Sequence, residues 1–576
     1  MKYLIFFILL LNGNLYAQST QSLFYSKIDT LYSYSKSGGE KLDSVDFIFS
    51  DKHSVLPGGA FNSPYGRLGN DYFNSLEMLN SNYRMQQNIV SKFSALPKLS
   101  FNYTFGSYGL QILHTDYYQT FRENIFLTFM YDRYVTSGMV RRNQLSQDAL
   151  SIRVLHKGKK SENRVDFKSF IFNRELTGGI VNDSVYTQFG IESANINKLN
   201  TTDTIKKYLF ETEHFLNLWG DSIMKNGLYL KNSLSLDQRT YRETDDLYNL
   251  YSSFRDSSNT VDKIQFSRLD NEIGYLLKTK RFKFSTALNR GYWRFFTLGS
   301  QTRTEWDFRS NIVTQLMDNL EMHLKLNVNL IGANFQRNVD LNMIKRGTNF
   351  SHIFNAGWNQ LLPNPNQRTY FSNTLDFQID QPELQKNLFF SYQLTSNKKD
   401  FSFSIGLKSM QDYYFFDGIS WNNQLFSKVG IFYTNLVKTF QWKSLYVQPN
   451  LTFTSLSGIN QVLPKFDFRG RFFWKKRIFA NKMEVLVGTD VYSRSTYNAF
   501  SYEDRLALYT ISSVQSKVQP ILQFDALFAV NIDEFRFYFK AENLNDYTKQ
   551  QKVFVVKNYP ISPSIFRIGF TWDFVN

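Results

Sequence analysis

The sequence predicts an all-β fold: an antiparallel transmembrane β-barrel of about 22 strands, roughly 18–24, behind an irregular N-terminal segment. Three observations predict it. Apolar residues recur with a period of two along most of the chain. The alternating runs are long, and their polar faces carry charge. The first residues read as an export signal, and no later stretch is apolar enough for a membrane helix.

The export signal comes first in the chain. Met1-Lys2 gives a short positive start, Tyr3 to Leu11 is a continuous apolar run, and Asn12-Gly13-Asn14 breaks it. Ala17 supplies the small residue before a cleavage at Gln18, so residues 1–17 are expected to be removed. An exported chain does not meet nucleic acid, which removes that reading of its net charge of +16. Without membrane helices, only a closed barrel satisfies backbone hydrogen bonds in lipid.

The period of two is clearest in Asn319 to Leu330. Leu320, Met322, Leu324, Leu326, Val328 and Leu330 share one face; Glu321, His323, Lys325, Asn327 and Asn329 share the other. Phe401 to Lys408, Phe466 to Trp474 and Phe535 to Lys540 repeat the pattern. Such runs exceed the length of soluble strands, about 5–6 residues. They suit tilted membrane strands, which need about 9–11. The last run, Phe566 to Phe574, puts five apolar residues on one face and Arg567, Gly569, Thr571 and Asp573 on the other. It resembles the terminal strand that barrel-assembly machinery recognises.

Candidate strands run from 99–106 to 564–574, among them 319–334, 348–361 and 366–380. Pro449 falls inside one of them, where a bulge or break is expected because it cannot donate to the ladder. Long polar intervals near 175–206, 241–262 and 496–516 read as external loops. The run Tyr413-Tyr414-Phe415-Phe416 reads as interfacial belt, with partner contact as the other reading. The barrel is expected over 96–576. Residues 18–95 are polar and irregular, and are expected in the periplasm or partly in the lumen, at the periplasmic mouth. They are too few for a full TonB-dependent receptor plug.

Composition excludes several functions. The chain has no cysteine, so disulfides, thiol catalysis and Cys-based zinc sites are absent. The six histidines, His53, His114, His156, His214, His323 and His352, have no metal-ligand spacing. No G-x-S-x-G motif or glycine-rich phosphate loop accompanies them. No catalytic residue, cofactor or metal is therefore expected, and the chain reads as no enzyme.

Four stretches carry a family resemblance. They are Arg67-Leu68-Gly69-Asn70; Gly138 to Gln144; Phe172-Asn173 with Gly178-Gly179-Ile180; and Tyr559-Pro560 leading into Phe566 to Phe574. In this order they resemble the putative porin family of Bacteroidota outer membranes, from about residue 40 to the end. The resemblance implies an outer-membrane barrel of a Gram-negative bacterium. It brings no substrate and no catalytic residue. Asn543-Leu544-Asn545 and the final strand also resemble the end of TonB-dependent receptor barrels.

The expected function is passive diffusion of small polar solutes. The face opposite the apolar one should line the pore. It holds Lys283, Glu321, His323, Lys325, Lys408, Lys465, Asp467, Arg469, Arg471, Glu484, Arg536, Lys540, Glu542, Arg567 and Asp573. Basic groups predominate, which predicts mild anion preference. Asp467, Arg469 and Arg471 should stack along one side. The opposing reading is that these charges pair and fill the lumen. A barrel that conducts nothing and serves a larger outer-membrane transport or assembly complex is the alternative function. Expected partners are outer-membrane lipid, lipopolysaccharide, the barrel-assembly machinery and, under the alternative, other outer-membrane or periplasmic proteins.

Overall fold

The computed structural model describes residues 91–575 with Asp29, Thr30 and Ile89, apart from 182–189, 221–224, 246, 258, 298, 333–334, 397–399, 417–419, 424–427, 512–515, 548–553 and 562. The expected leader, 1–17, and most of 18–95 lie outside the described residues. Strands β1 to β11 are Lys98–Gly106, Leu110–Phe121, Ile125–Thr136, Leu145–Lys157, Ser161–Glu175, Thr201–Gly220, Lys225–Glu243, Thr260–Lys278, Phe282–Phe296, Ser300–Met317 and Leu320–Ile331. Strands β12 to β22 are Arg337–Arg346, Phe350–Leu361, Gln385–Ser396, Phe401–Gln411, Lys428–Lys438, Leu445–Ser457, Phe466–Ile478, Met483–Arg494, Ile521–Ile532, Phe535–Glu542 and Ile565–Val575.

Each strand pairs antiparallel with its neighbours in sequence, and β22 pairs back onto β1, from Lys98↔Val575 to Gly106↔Arg567. The sheet is thus a closed barrel of 22 strands. The number agrees with the sequence count, but two differences cancel. Arg337–Arg346 is a strand the count omitted. Residues 366–380 are not in the wall; they hold a short helix and the hairpin Thr369–Phe371 with Asp376–Gln378. Tyr370 and Phe377 are apolar because they pack in a loop core, not against lipid.

The two rims differ. Turns such as 122–124, 158–160, 318–319 and 533–534 close one rim. The described residues of segments 176–200, 244–259, 362–384, 412–427, 495–520 and 543–564 crown the other. Large apolar side chains stay exposed on the outward face, including Leu228, Leu230, Ile273, Leu407 and Phe472. Trp219, Trp442, Trp474 and Trp572 gather near the short-turn rim, as an interfacial girdle does. Tyr413 to Phe416 belong to no belt: all four are buried within the crown of loops. Pro449 keeps its place in β17 opposite Gly470. The break falls in its other neighbour, where β16 stops at Lys438 and resumes as Phe440–Trp442 in unchanged register. A proline has no N–H to offer there.

Inward glycines meet cross-strand rings. A Cβ on Gly406 would lie 2.2 Å from the Tyr433 ring, and one on Gly569 2.3 Å from that of Tyr538. The ring covers the bare backbone and lies flat on the wall. Gly406→Val must lift Tyr433 off it, at about 1–3 kcal/mol. The expected outcome is a lower midpoint for loss of the compact, heat-modifiable electrophoretic band.

Candidate functional site: a charged lumen with a loop across its mouth

Strand parity places fourteen of the fifteen expected residues on the inward face. Lys465 is the correction. It precedes β18 in the turn 458–465 and is exposed, because the strand begins one residue later. Lys283 shares its face with the buried Ser285 and Asn289. Glu321 holds His323 Nε2 at 2.8 Å and Arg346 Nη1 at 2.8 Å, and Lys325 on the same face stays exposed. Lys408 and Arg536 are buried. Asp467 binds Arg494 Nε at 2.8 Å. Arg469 and Arg471 converge on Asp490, at 3.2 and 3.6 Å. Glu484 takes Arg477 at 3.1 Å. Lys540 lies 3.3 Å from Asp525 and 2.8 Å from Glu542, which also holds Arg567 at 2.8 Å. Asp573 accepts from Ser100 Oγ across the seam. Pairing, rather than a ring of one sign, dominates this wall.

A denser network on β4 to β7 was not read from the sequence. Arg164 is 1% exposed and touches Asp166, Glu211 and Glu213. Arg153 bridges Asp166 at 2.7 Å and donates to the Ile89 carbonyl. Ile89 therefore sits inside the barrel, several residues above the short-turn rim. The chain then descends along the inner wall. Phe93 packs on Phe126 and Leu155, Ser94 exchanges hydrogen bonds with Thr120, and β1 begins at Lys98.

At the other rim, the loop between β19 and β20 turns inward. Phe500–Glu503 and Leu508–Ile511 form a hairpin. Its root is fixed by apolar packing among Tyr413, Phe415, Val429, Ile431, Leu463, Val556 and Tyr559. Its tip, Asp504 to Ala507, is buried. Ala507 packs on Leu110, Leu145, Phe170 and Ile205, inward residues of β2 to β6. Arg239 donates to the carbonyls of Arg505 and Asp504, and its Nε binds Asp203 at 2.7 Å. Tyr370 from the β13–β14 loop donates to the Arg505 carbonyl at 3.1 Å. The Arg505 side chain clamps its own Glu503 at 2.7 and 3.0 Å and reaches the Thr374 carbonyl. A hairpin rooted beside β19 and held by β7 spans the mouth.

Lys198 completes the latch. Its ammonium lies 3.3 Å from Asp504 and 3.1 Å from Glu243, with Tyr241 and Tyr251 hydroxyls at 2.9 Å. Burial opposes that charge, but Asp504, Tyr251 and Glu243 outweigh it and hold the Lys198 pKa well above its usual value. Burial lifts the Tyr251 phenol to about 12. Burial would raise Glu503, yet the Arg505 hydrogen bond and charge hold it below its usual 4.5. The sequence does show this turn, as Glu503-Asp504-Arg505 between two short β-runs in an expected loop. It shows nothing of Lys198, Arg239 or Tyr370, which lie over a hundred residues away.

The comparisons bear on this geometry. The family described as "Putative porin" matches residues 18–576. The chain belongs to that family. No curated protein matches the chain. Among solved structures, the copper transporter OprC matches at TM-score 0.63 and 10% identity, covering 85% of this chain and 82% of its own. The FrpB iron transporter from Neisseria meningitidis matches at 0.58 and 8%, covering 83% and 82%. The siderophore receptor PirA from Acinetobacter baumannii matches at 0.59 and 10%, covering 84% and 82%. At such identity these likenesses show the fold. This family member is a barrel of the Gram-negative outer membrane, with its short-turn rim periplasmic and its crown of loops outside.

The latch has a defined pH window. The Lys198 contribution is present below 10.5 and is lost only as pH rises through its raised pKa. The Glu503 contribution is present above 4.5 and is lost as pH falls through its lowered pKa. Accessibility of a cysteine placed at Ala507 to an impermeant external pyridyl disulfide, which still reacts with thiols in acid, should therefore stay low from about pH 5 to 9 and rise as pH falls through the lowered Glu503 pKa. Lys198→Met strips two buried carboxylates of their cation, a loss of about 3–5 kcal/mol, and should expose the same site at pH 7.

Proposed function

We propose that this outer-membrane barrel is a porin-like channel that passes small polar solutes by diffusion, with the β19–β20 hairpin setting its outer aperture. One observation carries the reading. Inward side chains on β4 to β8 are mostly buried, whereas most of those on β11 to β13, and those on the periplasmic half of β14 to β17, keep partial exposure. An aqueous path along the second sector accounts for that difference. Selectivity should be weak, because most inward charges have a partner of opposite sign. The basic excess on the inward face favours anions mildly.

Planar-bilayer conductance of the full-length protein tests this. Stable openings with a reversal potential of the sign for anions are expected in a salt gradient. Cation preference would sink the charge reading. Silence from folded protein, with openings only after removal of residues 18–95, would indicate a plugged barrel.

The same reading seats lipopolysaccharide on the outward wall. Lys206, Arg242, Lys263 and Arg294 are exposed on the outward face of β6 to β9, on the extracellular side of the apolar Leu228 and Leu230. None has an acidic partner among the described residues. They lie where lipid phosphates lie, and should attract them. Replacing all four by Glu should lower the lipopolysaccharide retained per barrel through mild detergent purification, measured by phosphate assay.

A further inference from the structure

The inward wall is not uniform. Ion pairs crowd it from β4 to β10 and from β18 to β22. Between them, beside the Glu321 pairs and Lys325, Asp340 and Lys408, it carries mainly amides, hydroxyls and flat aromatic rings. Cross-strand register aligns Asn342, Asn355, Ser391, Gly406, Tyr433 and Thr454 as one row over β12 to β17. Asn342 Nδ2 donates to Asn355 Oδ1 at 2.5 Å, and Asn355 Nδ2 to Ser391 Oγ at 3.2 Å. One step toward the periplasm, Asn435 Nδ2 donates to Asn450 Oδ1 at 2.6 Å and to Thr452 Oγ1 at 2.8 Å.

Two rings stand among these amides. Tyr433 covers Gly406, and Phe389 covers Gly357, where a Cβ would come within 2.4 Å of the ring. Glycine lets each ring lie against the wall, so one broad face turns to the lumen. Phe389, Tyr433, Asn355, Ser391 and Asn435 are all partly exposed.

This pairing of chemistries points to one class of solute. An amide both donates and accepts hydrogen bonds, as does a sugar hydroxyl. An aromatic face, negative at its centre, suits the C–H-rich face of a sugar ring. The row from Asn342 to Thr454 carries no charge, and the adjacent row through Phe389 carries Lys325, Asp340 and Lys408, of both signs. We infer that the row is a saccharide-binding track, taking neutral polyhydroxylated solutes along the β12–β17 wall. The inference rests on the channel reading only for how the solute arrives.

The test uses the full-length barrel and maltotriose. Calorimetry in detergent should show saturable binding, and bilayer current should fall to a plateau over the same concentration range. A polyethylene glycol of equal hydrodynamic radius should show neither. Tyr433→Ala with Phe389→Ala should weaken maltotriose about tenfold or more, the worth of the lost stacking. The near-isosteric Asn435→Asp guards against misfolding and should also weaken it. Binding without current would keep the track and overturn the channel. Current with no saturable maltotriose signal, or equal effects from the polymer, would overturn the track.

Discussion

Lipid offers a strand no hydrogen-bonding partner, so each strand needs a neighbour on both edges. That constraint decides everything else in this protein. It forces the ring, and the ring fixes which residues face lipid and which face each other across a bore. A sheet of period two then turns into two surfaces of opposite character. Bulky apolar groups serve one, and the other is left with charge to accommodate. In a wide barrel that accommodation is the main problem of packing.

Two solutions coexist on the inner wall. On one arc, guanidinium groups and carboxylates interlock until little of them meets water, as around Arg164 and Asp203. Removing one member there leaves an uncompensated charge, so such a network is rigid. On the other arc, amides and hydroxyls outnumber ions and can release one partner for another at small cost. The hairpin at the mouth follows the first rule. It is held by the same kind of buried ion pairing that stiffens the wall below it.

The alternation in Leu320 to Leu330 gives the outward and inward faces directly, because lipid imposes a simple rule at every second residue. The rule weakens where apolar residues have another reason to exist. Tyr370, Phe377 and Tyr413 to Phe416 are apolar for the sake of a loop core, which looks in sequence like a strand or a belt. Val429 and Ile431 face inward and are still apolar, since that core rests on them. Arg337–Arg346 is short, and its inward Ile344 interrupts the alternation. The charges of the wall are legible one strand at a time, but their partners are not. Asp490 neutralises Arg469 and Arg471 only because register sets it opposite, and register is a property of the folded sheet.

The seam has a further consequence. Ser100 and Asp573 bond across it although 473 positions separate them along the chain. Every other strand pairing of the described wall joins strands consecutive in the chain and can form as each hairpin is made. The seam cannot form until the last strand exists. An unfinished sheet therefore carries two raw edges for the whole of its construction, each a template for wrong pairing. Closure is a single late event of very high contact order, and it is intrinsically slow. The eleven residues of the last strand thus act as a zip for the whole molecule, and a chain that lacks them has most of its contacts but no inside.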